Sequence, residues 1–468
     1  MAIVTQVLVL VGGPGGYAAA FAAADLGLAV ALVDDAPNPG GVCLYRGCIP
    51  SKTLLHVARL LREAEEARGY GVAFAKPSID LGALRAHKQA VVDKLTGGLG
   101  QLARQRKITY VEGRGRFLGQ NSLAVTRASG GEEELRFSHA IISTGSLPRS
   151  LNVLQGFGDL VWDSTAALEL REVPRRLLVV GGGYIGVELA SVYLAFGSEV
   201  TLVEVTAGLL PGADPDLVSP LLQQLKGRAQ LRFETSVLRL DREGGGLRAT
   251  LRRKDGSDEE IVVDRLLASV GRAPQTAGIG LEALGLAPDP QGFLAVDAQR
   301  RTALPHIYAI GDVAGQPMLA HKASYEGRVA AEAIAGRESA YDPAAIPAVV
   351  FTDPEIAWTG LSEAEATSRG IDVRIGRFPW AASGRAASMG RSDGLTKIVA
   401  EGATGRILGV GICGPGAGEL IAESTLAIEM GAVAEDLART IHPHPTLSET
   451  VMEAAEGIRG HATHYYGR

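Results

Sequence analysis

The chain has 468 residues, of which 46% are hydrophobic and 21% are charged, and it contains 60 glycines. This length is too great for one hydrophobic core and predicts about two to four α/β domains with many tight turns. The formal net charge of −6 argues against nucleic acid as a partner, so we expect small molecules and other proteins instead.

The chain begins without the features of a targeting or membrane segment. Its first residues, Met1-Ala2-Ile3-Val4-Thr5-Gln6, lead directly into a strand-like apolar run. No basic region, long apolar stretch or cleavage site precedes that run. We therefore expect a soluble cytoplasmic protein.

The first predicted unit is an apolar strand, a glycine-rich turn, an alanine-rich helix and a second strand that ends in an acidic residue, Asp34. In such a unit the glycines allow a sharp turn, a close approach of the backbone to a pyrophosphate and tight packing of the helix on the strand. Gly13 and Gly16 occupy the phosphate and packing positions. The helix N-terminus supplies N–H donors, and Asp34 can accept hydrogen bonds from a ribose.

This first unit departs from the pattern at one position, because Val11 stands where the first glycine is expected. A β-branched residue tolerates a tight turn while its φ is negative, whereas a positive φ costs on the order of 1–3 kcal/mol. Since the other two glycines are retained, we expect a dinucleotide still to bind.

Two cysteines follow this unit, in the run Gly40-Gly41-Val42-Cys43-Leu44-Tyr45-Arg46-Gly47-Cys48-Ile49-Pro50-Ser51-Lys52. Two close thiols can alternate between dithiol and disulfide, so Cys43 and Cys48 predict a redox-active disulfide beside a bound cofactor. A zinc site would need four ligands, and no further Cys or His pair stands nearby at metal spacing. A buried structural pair stays open as an alternative. The third cysteine, Cys413, lies in an apolar run and is expected to be a small core residue.

The second unit repeats the first and is more regular. An apolar strand at residues 177–180 leads into a turn with glycines at all three positions, and a later strand ends in Glu204. The three glycines are Gly181, Gly183 and Gly186. A carboxylate at Glu204 would repel a 2′-phosphate, and no arginine stands among the next three residues, so the unit favours NAD over NADP. Two such copies weigh against ordinary glycine-rich turns.

From about residue 345 the pattern changes to an α+β arrangement, with strand-like runs at 348–357 and 396–399 and a helix from Ala417. The region ends in Ile441-His442-Pro443-His444-Pro445-Thr446-Leu447-Ser448-Glu449. A histidine oriented by a carboxylate can act as a general acid and base at neutral pH. Two solvent-exposed turn histidines are the alternative interpretation, which these residues alone leave open.

Taken in this order, the cysteine pair, the two dinucleotide units and the histidine turn resemble the flavin-dependent disulfide oxidoreductases over nearly the whole chain. Four further segments carry the resemblance: Ile142-Ser143-Thr144-Gly145-Ser146, Val270-Gly271-Arg272-Ala273-Pro274, Ile307-Tyr308-Ala309-Ile310-Gly311-Asp312-Val313 and Leu319-Ala320-His321-Lys322-Ala323. Besides Val11, the chain departs from the family at Tyr45-Arg46, where Asn-Val is usual, and at Gln275, where Asn is usual.

The resemblance implies an α/β protein with two Rossmann-like dinucleotide-binding domains and a C-terminal α+β dimerisation domain. The FAD domain would be discontinuous, with residues 1–149 and 272–344 enclosing an NAD domain of residues 150–271. Residues 345–468 would form the interface of a homodimer.

It also implies two cofactors, FAD in the first domain and NAD on the second unit. Asp34 would contact the adenosine ribose of FAD, and Asp312 would lie near its ribityl chain or pyrophosphate. The implied cofactor contacts are Gly13, Gly16, Asp34, Lys52, Thr144, Gly145, Gly311, Asp312, Ala320, Gly181, Gly183, Gly186, Glu204 and Gly271.

The implied reaction oxidises protein-bound dihydrolipoamide to lipoamide and passes hydride to NAD. The substrate would attack Cys43, Cys48 would be the flavin-side thiolate, and His444 of the other subunit would accept thiol protons. Glu449 would orient His444, while Lys52 and Glu188 would form an ion pair beside the flavin. The implied partner is the lipoyl-bearing acyltransferase of a 2-oxo-acid dehydrogenase complex.

Three alternatives remain. A mercuric ion reductase of the family would carry a second cysteine pair at its C-terminus, and residues 461–468 contain none. A glutathione-type reductase favours NADPH through basic residues that are absent after Glu204. A paralogue that serves only as a binding or assembly subunit is the third, against which the retained cysteines and histidine argue.

Overall fold

The computed structural model describes residues 3–127 and 130–466. The ends of the predicted outer domains, at residues 1, 2, 467 and 468, lie outside this part of the chain. The first elements are β1 (Ile3–Leu10), α1 (Pro14–Asp25), β2 (Val30–Asp34), α2 (Gly41–Arg46), α3 (Cys48–Glu66), α4 (Leu81–Gln105), β3 (Thr109–Glu112), β4 (Arg114–Gly119), β5 (Ser122–Thr126), β6 (Glu132–Ile142) and β7 (Ser146–Pro148).

A second group of elements follows. It comprises β8 (Val161–Trp162), α5 (Ser164–Glu169), β9 (Arg176–Val180), α6 (Tyr184–Ala195), β10 (Glu199–Val203), α7 (Pro215–Leu225), β11 (Ala229–Arg232), β12 (Thr235–Glu243), β13 (Gly246–Arg253), β14 (Asp258–Val263), β15 (Arg265–Ala268) and β16 (Arg272–Pro274). After these come α8 (Leu281–Leu284), β17 (Ile307–Ala309) and α9 (Ala320–Ile334).

The last group forms the C-terminal region. Its elements are β18 (Ala348–Val350), β19 (Ile356–Gly360), α10 (Glu363–Ser368), β20 (Val373–Pro379), α11 (Gly384–Ser388), β21 (Leu395–Glu401), β22 (Ile407–Cys413), α12 (Ala417–Glu429), α13 (Ala434–Arg439) and α14 (Glu449–Gly457).

The first sheet has the order β3-β2-β1-β6-β5-β4, and β17 joins it by pairing in parallel with β6. The apolar runs of β1 and β2 pair in parallel and are buried, which is typical of strands covered on both faces. Because β17 returns to this sheet, the loop that carries Asp312 lies beside the carboxyl end of β6. The exact limits of the predicted discontinuous domain stay a prediction.

The second sheet repeats the arrangement of parallel strands in the order β11-β10-β9-β15-β8. An antiparallel sheet of β12, β13 and β14 stands beside it. In each of the two parallel sheets a glycine-rich turn connects a central strand to a helix. The carboxyl ends of these strands are where α/β proteins bind dinucleotides.

The C-terminal region is built on an antiparallel sheet of order β18-β19-β22-β21-β20. The helix α14 packs closely on this sheet, since a Cβ added at Gly376 would lie 2.0 Å from the carbonyl oxygen of Ala454. Cys413 is 0% exposed in this core, which confirms its expected role as a small packing residue. None of the described helices combines the length and apolar character needed to cross a bilayer.

Candidate functional site

The first glycine-rich turn is held by the acid that ends β2. Asp34 Oδ2 accepts a hydrogen bond of 2.5 Å from Gly12 N, and Oδ1 accepts one of 2.9 Å from Ala36 N. Burial raises the pKa of Asp34, and the two backbone donors oppose that shift. The carboxylate therefore fixes the turn as well as facing the space where a ribose would bind.

Val11 adopts a φ of +75°, so the strained alternative considered for this position is the one that the structure shows. Its carbonyl oxygen accepts a hydrogen bond of 2.7 Å from Ser143 Oγ at the end of β6. A Cβ at Gly16 would lie 2.0 Å from the same oxygen, so the packing position requires glycine. Contacts on both sides of Val11 thus hold a backbone conformation that valine rarely adopts.

Two adjoining cavities, of about 950 and 200 Å³, begin at this turn. The larger one includes Asp34 in its wall, and the smaller one includes both cysteines. The residues common to the two walls are Val11, Gly41, Val42, Arg46, Thr144, Ser146 and Arg272. We call this continuous space the groove; it runs from Asp34 to Cys48.

The groove fits a flavin dinucleotide. A Cβ at Gly13 would meet no atom within 4 Å, so the backbone there borders open space. Gly13 offers no side-chain cap to α1, whose first turn consequently has N–H groups free for a phosphate. Length, a glycine-lined middle and an acid at one end are the features that FAD requires.

The cysteine pair lies at the other end of the groove. Cys43 is within α2, Cys48 begins α3, and both are free thiols. A hydrogen bond from Cys43, together with the positive charge of Lys52, outweighs burial and lowers the pKa of Cys48 to about 7. The same hydrogen bond and burial raise the pKa of Cys43. In the reduced pair the thiolate therefore resides on Cys48.

Lys52 and Glu188 are brought together across 136 residues of sequence, with Lys52 Nζ 2.9 and 3.1 Å from the two carboxylate oxygens. Glu188 is buried and also accepts a hydrogen bond of 2.9 Å from Phe351 N. The ammonium group lies 4.5 Å from the centre of the Phe351 ring. The pair lines the same cavity as the cysteines, so its charge is fixed beside the thiols.

The loop of Gly311 and Asp312 closes the groove, and buried charges that sequence analysis missed hold it. Asp312 Oδ2 accepts a hydrogen bond from Ser146 Oγ. Glu326, which is 0% exposed, accepts a hydrogen bond of 2.6 Å from Gly311 N and pairs with Lys322 at 3.1 Å. The available signal was two opposite charges at i,i+4 spacing in α9, a helix that otherwise buries small residues.

The second glycine-rich turn has the same hydrogen bonds with glycine in place of valine. Gly181 has a φ of +108°, and a Cβ at Gly186 would lie 2.0 Å from its carbonyl oxygen. Glu204 accepts hydrogen bonds of 2.6 Å from Gly182 N and 2.8 Å from Thr206 N. A Cβ at Gly183 would meet nothing within 4 Å. This turn suits a second dinucleotide, with no side chain in the way.

The remaining predicted cofactor contacts occupy three positions. Thr144 Oγ1 donates a hydrogen bond of 2.6 Å to Gln275 O, and Gly145, with a φ of +73°, follows it in the wall of the smaller cavity. Ala320 begins α9 and lines that cavity. Gly271, with a φ of +102°, stands between β15 and β16, outside the groove.

His444 and Glu449 form a hydrogen-bonded pair at the C-terminal turn. His444 Nδ1 lies 2.9 Å from Glu449 Oε1, and Thr446 N donates a hydrogen bond of 2.8 Å to Oε2. Burial opposes ionisation of Glu449, but these two partners together lower its pKa. The His444 side chain is 73% exposed, so its Nε2 faces solvent.

Two predicted groupings are not found within one chain. His442 pairs with Glu423 of α12, at 2.9 Å, rather than with the carboxylate of its own turn. No residue after Ala323 lines either cavity of the groove in the described structure, so His444 does not reach the cysteines of its own subunit there. In the same residues no group of three potential ligands could hold a metal ion.

Comparisons with known proteins agree with this geometry. A family model described as pyridine nucleotide-disulphide oxidoreductase matches residues 5–327, and the dimerisation domain of that family matches residues 346–455. Dihydrolipoyl dehydrogenase from Haemophilus influenzae is 46% identical over 461 residues, covering 98% of this chain and 96% of that protein. Dihydrolipoyl dehydrogenase from Thermus scotoductus is 47% identical over 468 residues, covering 99% and 100%. The crystal structure of LpdA from Mycobacterium tuberculosis matches with a TM-score of 0.89 at 28% identity, covering 97% of this chain and 99% of that one.

Proposed function

The chain belongs to the pyridine nucleotide-disulphide oxidoreductase family, and from this premise we propose that it oxidises dihydrolipoamide to lipoamide. FAD and NAD are its cofactors. The observation that carries the proposal is the thiol pair at the end of a groove that suits a dinucleotide, in a chain aligned over its full length with dihydrolipoyl dehydrogenases.

The groove residues hold the cofactors. Gly13 and the first turn of α1 face the diphosphate of FAD, and Asp34 faces its adenosine ribose. Gly183 and Glu204 serve NAD in the corresponding way. When bound, FAD supplies an acceptor for one electron pair, and NAD removes that pair as hydride.

The cysteines carry out the thiol exchange. A substrate thiolate attacks Cys43 Sγ of the oxidised pair, the disulfide breaks, and Cys48 leaves as a thiolate. The second substrate thiolate then attacks the substrate sulfur of this mixed disulfide, which releases lipoamide and leaves Cys43 reduced. A pKa of about 7 makes Cys48 a good leaving group, and the raised pKa of Cys43 keeps the proton on that sulfur.

His444 accepts the protons that the substrate thiols lose. Because Nδ1 is engaged with Glu449, the imidazole presents Nε2 to the substrate. Its position away from the groove of its own chain supports a homodimer in which each His444 serves the cysteines of the other subunit. The match of residues 346–455 to the family dimerisation domain supports the same arrangement.

An activity measurement tests the reaction. The purified chain should contain FAD and reduce NAD with dihydrolipoamide, and it should work poorly with NADP. Mercuric ion or glutathione disulfide with NADPH should give little turnover. Colourless protein without turnover would instead favour a paralogue with a binding role.

A mixing experiment tests the shared site. Cys48→Ser and His444→Ala should each be almost inactive as homodimers, since a lost acid–base group costs about 10²- to 10⁴-fold in rate. When the two variants are refolded together, each mixed dimer should regain one intact site. No recovery in confirmed mixed dimers would place the histidine and the cysteines of one site in the same chain.

The partner and location follow from the reaction. Dihydrolipoamide is carried by lipoyl domains, so we propose the lipoyl-bearing acyltransferase of a 2-oxo-acid dehydrogenase complex as the partner. A thiol pair that returns to its reduced form in each cycle suits the cytoplasm. A lower KM for a lipoyl domain than for free dihydrolipoamide would support this partner.

A further inference from the structure

Arg46 is a groove residue without a structural partner. It ends α2, one helical turn after Val42, and both side chains line both cavities of the groove. The Arg46 guanidinium is exposed and makes no hydrogen bond or ion pair with any described residue. A cation that faces an open groove with no anion beside it is available for a ligand.

Every other cation of the groove is engaged. Arg114 lies 3.5 Å from Asp35, Arg171 2.6 Å from Glu169, Arg265 2.5 Å from Glu172 and Lys52 2.9 Å from Glu188, while Arg272 donates to Ser146 Oγ and O at 2.7 and 2.6 Å. These contacts neutralise or orient each group within the protein. Arg46 alone among the described groove cations retains its full capacity to bind an anion.

The side of the groove that Arg46 faces is identifiable. Its positive charge lowers the pKa of Asp34, which places it electrostatically on the ribose side of the cysteines. The wall there also contains Val11, whose side chain offers no polar contact. The two residues where the chain departs from its family, Val11 and Arg46, thus line the same section of the groove.

We propose that Arg46 binds the diphosphate of FAD and offsets the less favourable turn at Val11. A guanidinium matches phosphate oxygens in a bidentate arrangement, which a valine at this position could not provide. It also balances the carboxylates of Asp34 and Asp312, which face the same groove and repel a dianion. This inference rests on the proposed function only in its use of FAD.

Binding of FAD to the apo form of the full chain tests the proposal. Arg46→Val introduces the usual family residue at an exposed position, and it should raise the Kd of FAD about 10- to 100-fold, the range of a charge-assisted hydrogen bond. Binding of riboflavin, which has no phosphate, should be unchanged. Arg46→Lys should restore part of the FAD affinity, and the FAD affinity of Arg46→Val should depend less on salt than that of the wild type.

Arg114→Val is the matched control, because Arg114 lines the larger cavity but already pairs with Asp35. It should leave the Kd of FAD within about threefold. In a Val11→Gly background, Arg46→Val should weaken FAD binding less than in the wild type, which would establish coupling between the two positions.

Several outcomes would overturn the proposal. Equal FAD affinity in wild type and Arg46→Val, an equal loss of riboflavin binding, or an equal loss in Arg114→Val would each remove the phosphate contact. Any of these in an enzyme that still oxidises dihydrolipoamide leaves the proposed function intact. A wild-type chain that binds no FAD would end both.

Discussion

The two glycine-rich turns of this protein share one hydrogen-bonding plan but differ at one residue. In each, an acid at the end of a strand accepts two backbone N–H groups, and a serine hydroxyl bonds the turn carbonyl, from Ser143 at 2.7 Å in one and from Ser269 at 3.1 Å in the other. The turn residue is Val11 in the first and Gly181 in the second, both at positive φ. The comparison teaches that surrounding contacts can impose a backbone conformation that the residue itself disfavours.

The largest expected effect comes from a single added carbon at the packing glycine of either turn. A Cβ at Gly16 or Gly186 would lie 2.0 Å from a backbone carbonyl oxygen, which cannot move without opening the turn. We expect Gly16→Ala to lose FAD and activity. Gly186→Ala should retain FAD but raise the Kd of NAD roughly 100-fold. Flavin absorbance and NAD titration measure the two effects.

Gly98→Ala is the control for these variants. Gly98 lies within α4 and a Cβ there would meet no atom within 4 Å, so alanine should be neutral or slightly stabilising. Normal NAD binding by Gly186→Ala would mean that the second turn opens at little cost, and the likeness of the two turns would not extend to their rigidity.

Gly181→Val transfers the residue of the first turn to the second. A valine at a φ of +108° costs on the order of 1–3 kcal/mol, so the Kd of NAD should rise about 10- to 100-fold. FAD content should not change, because the first turn is untouched. Unaltered NAD binding would show that the difference between the turns has no energetic consequence.

Val11→Gly is the reverse exchange and should have a smaller effect. It relieves the strain of the positive φ, but the added freedom of glycine in the unfolded chain offsets about 1 kcal/mol of that gain. We expect FAD to bind up to about tenfold more tightly, with a modest rise in Tm of the apo form. Weaker FAD binding in this variant would show that the valine side chain itself contributes to the groove.

The turns also differ in what lies beyond them, since only the first leads to a thiol pair, and this gives the mildest test. The thiolate form of Cys48 should appear as the pH rises through about 7, whereas Cys43, with its raised pKa, should stay protonated. Alkylation of the reduced enzyme should therefore increase through that pH at Cys48 alone. Mass spectrometry of the labelled peptide identifies the residue, and preferential labelling of Cys43 would reverse the assignment.

Much of this molecule was predictable because its signals are local. The apolar runs before Gly13 and Gly183, and the acids at Asp34 and Glu204, mark strands, turns and helix starts through spacing alone. The adjacency of Cys43 and Cys48 was likewise visible in the chain. The pairing of Lys52 with Glu188 came only from resemblance to a family, since 136 residues separate them.

Other features depend on packing between distant segments. The partner of His442 proved to be Glu423, which is contributed by a different helix. The charges of Lys322 and Glu326 hold the Gly311 loop only because α9 packs beneath β17. Sequence patterns within a segment carry no record of such neighbours.

The sequence by itself determined where the turns, the thiols and the acid–base residues occur, because glycine spacing and apolar periodicity act over a few residues. Only the tertiary structure decided that Val11 takes a positive φ, that Arg46 faces the groove, and that His444 lies away from the cysteines of its own chain. Those outcomes depend on contacts that form when separate segments pack together, and no single segment contains them.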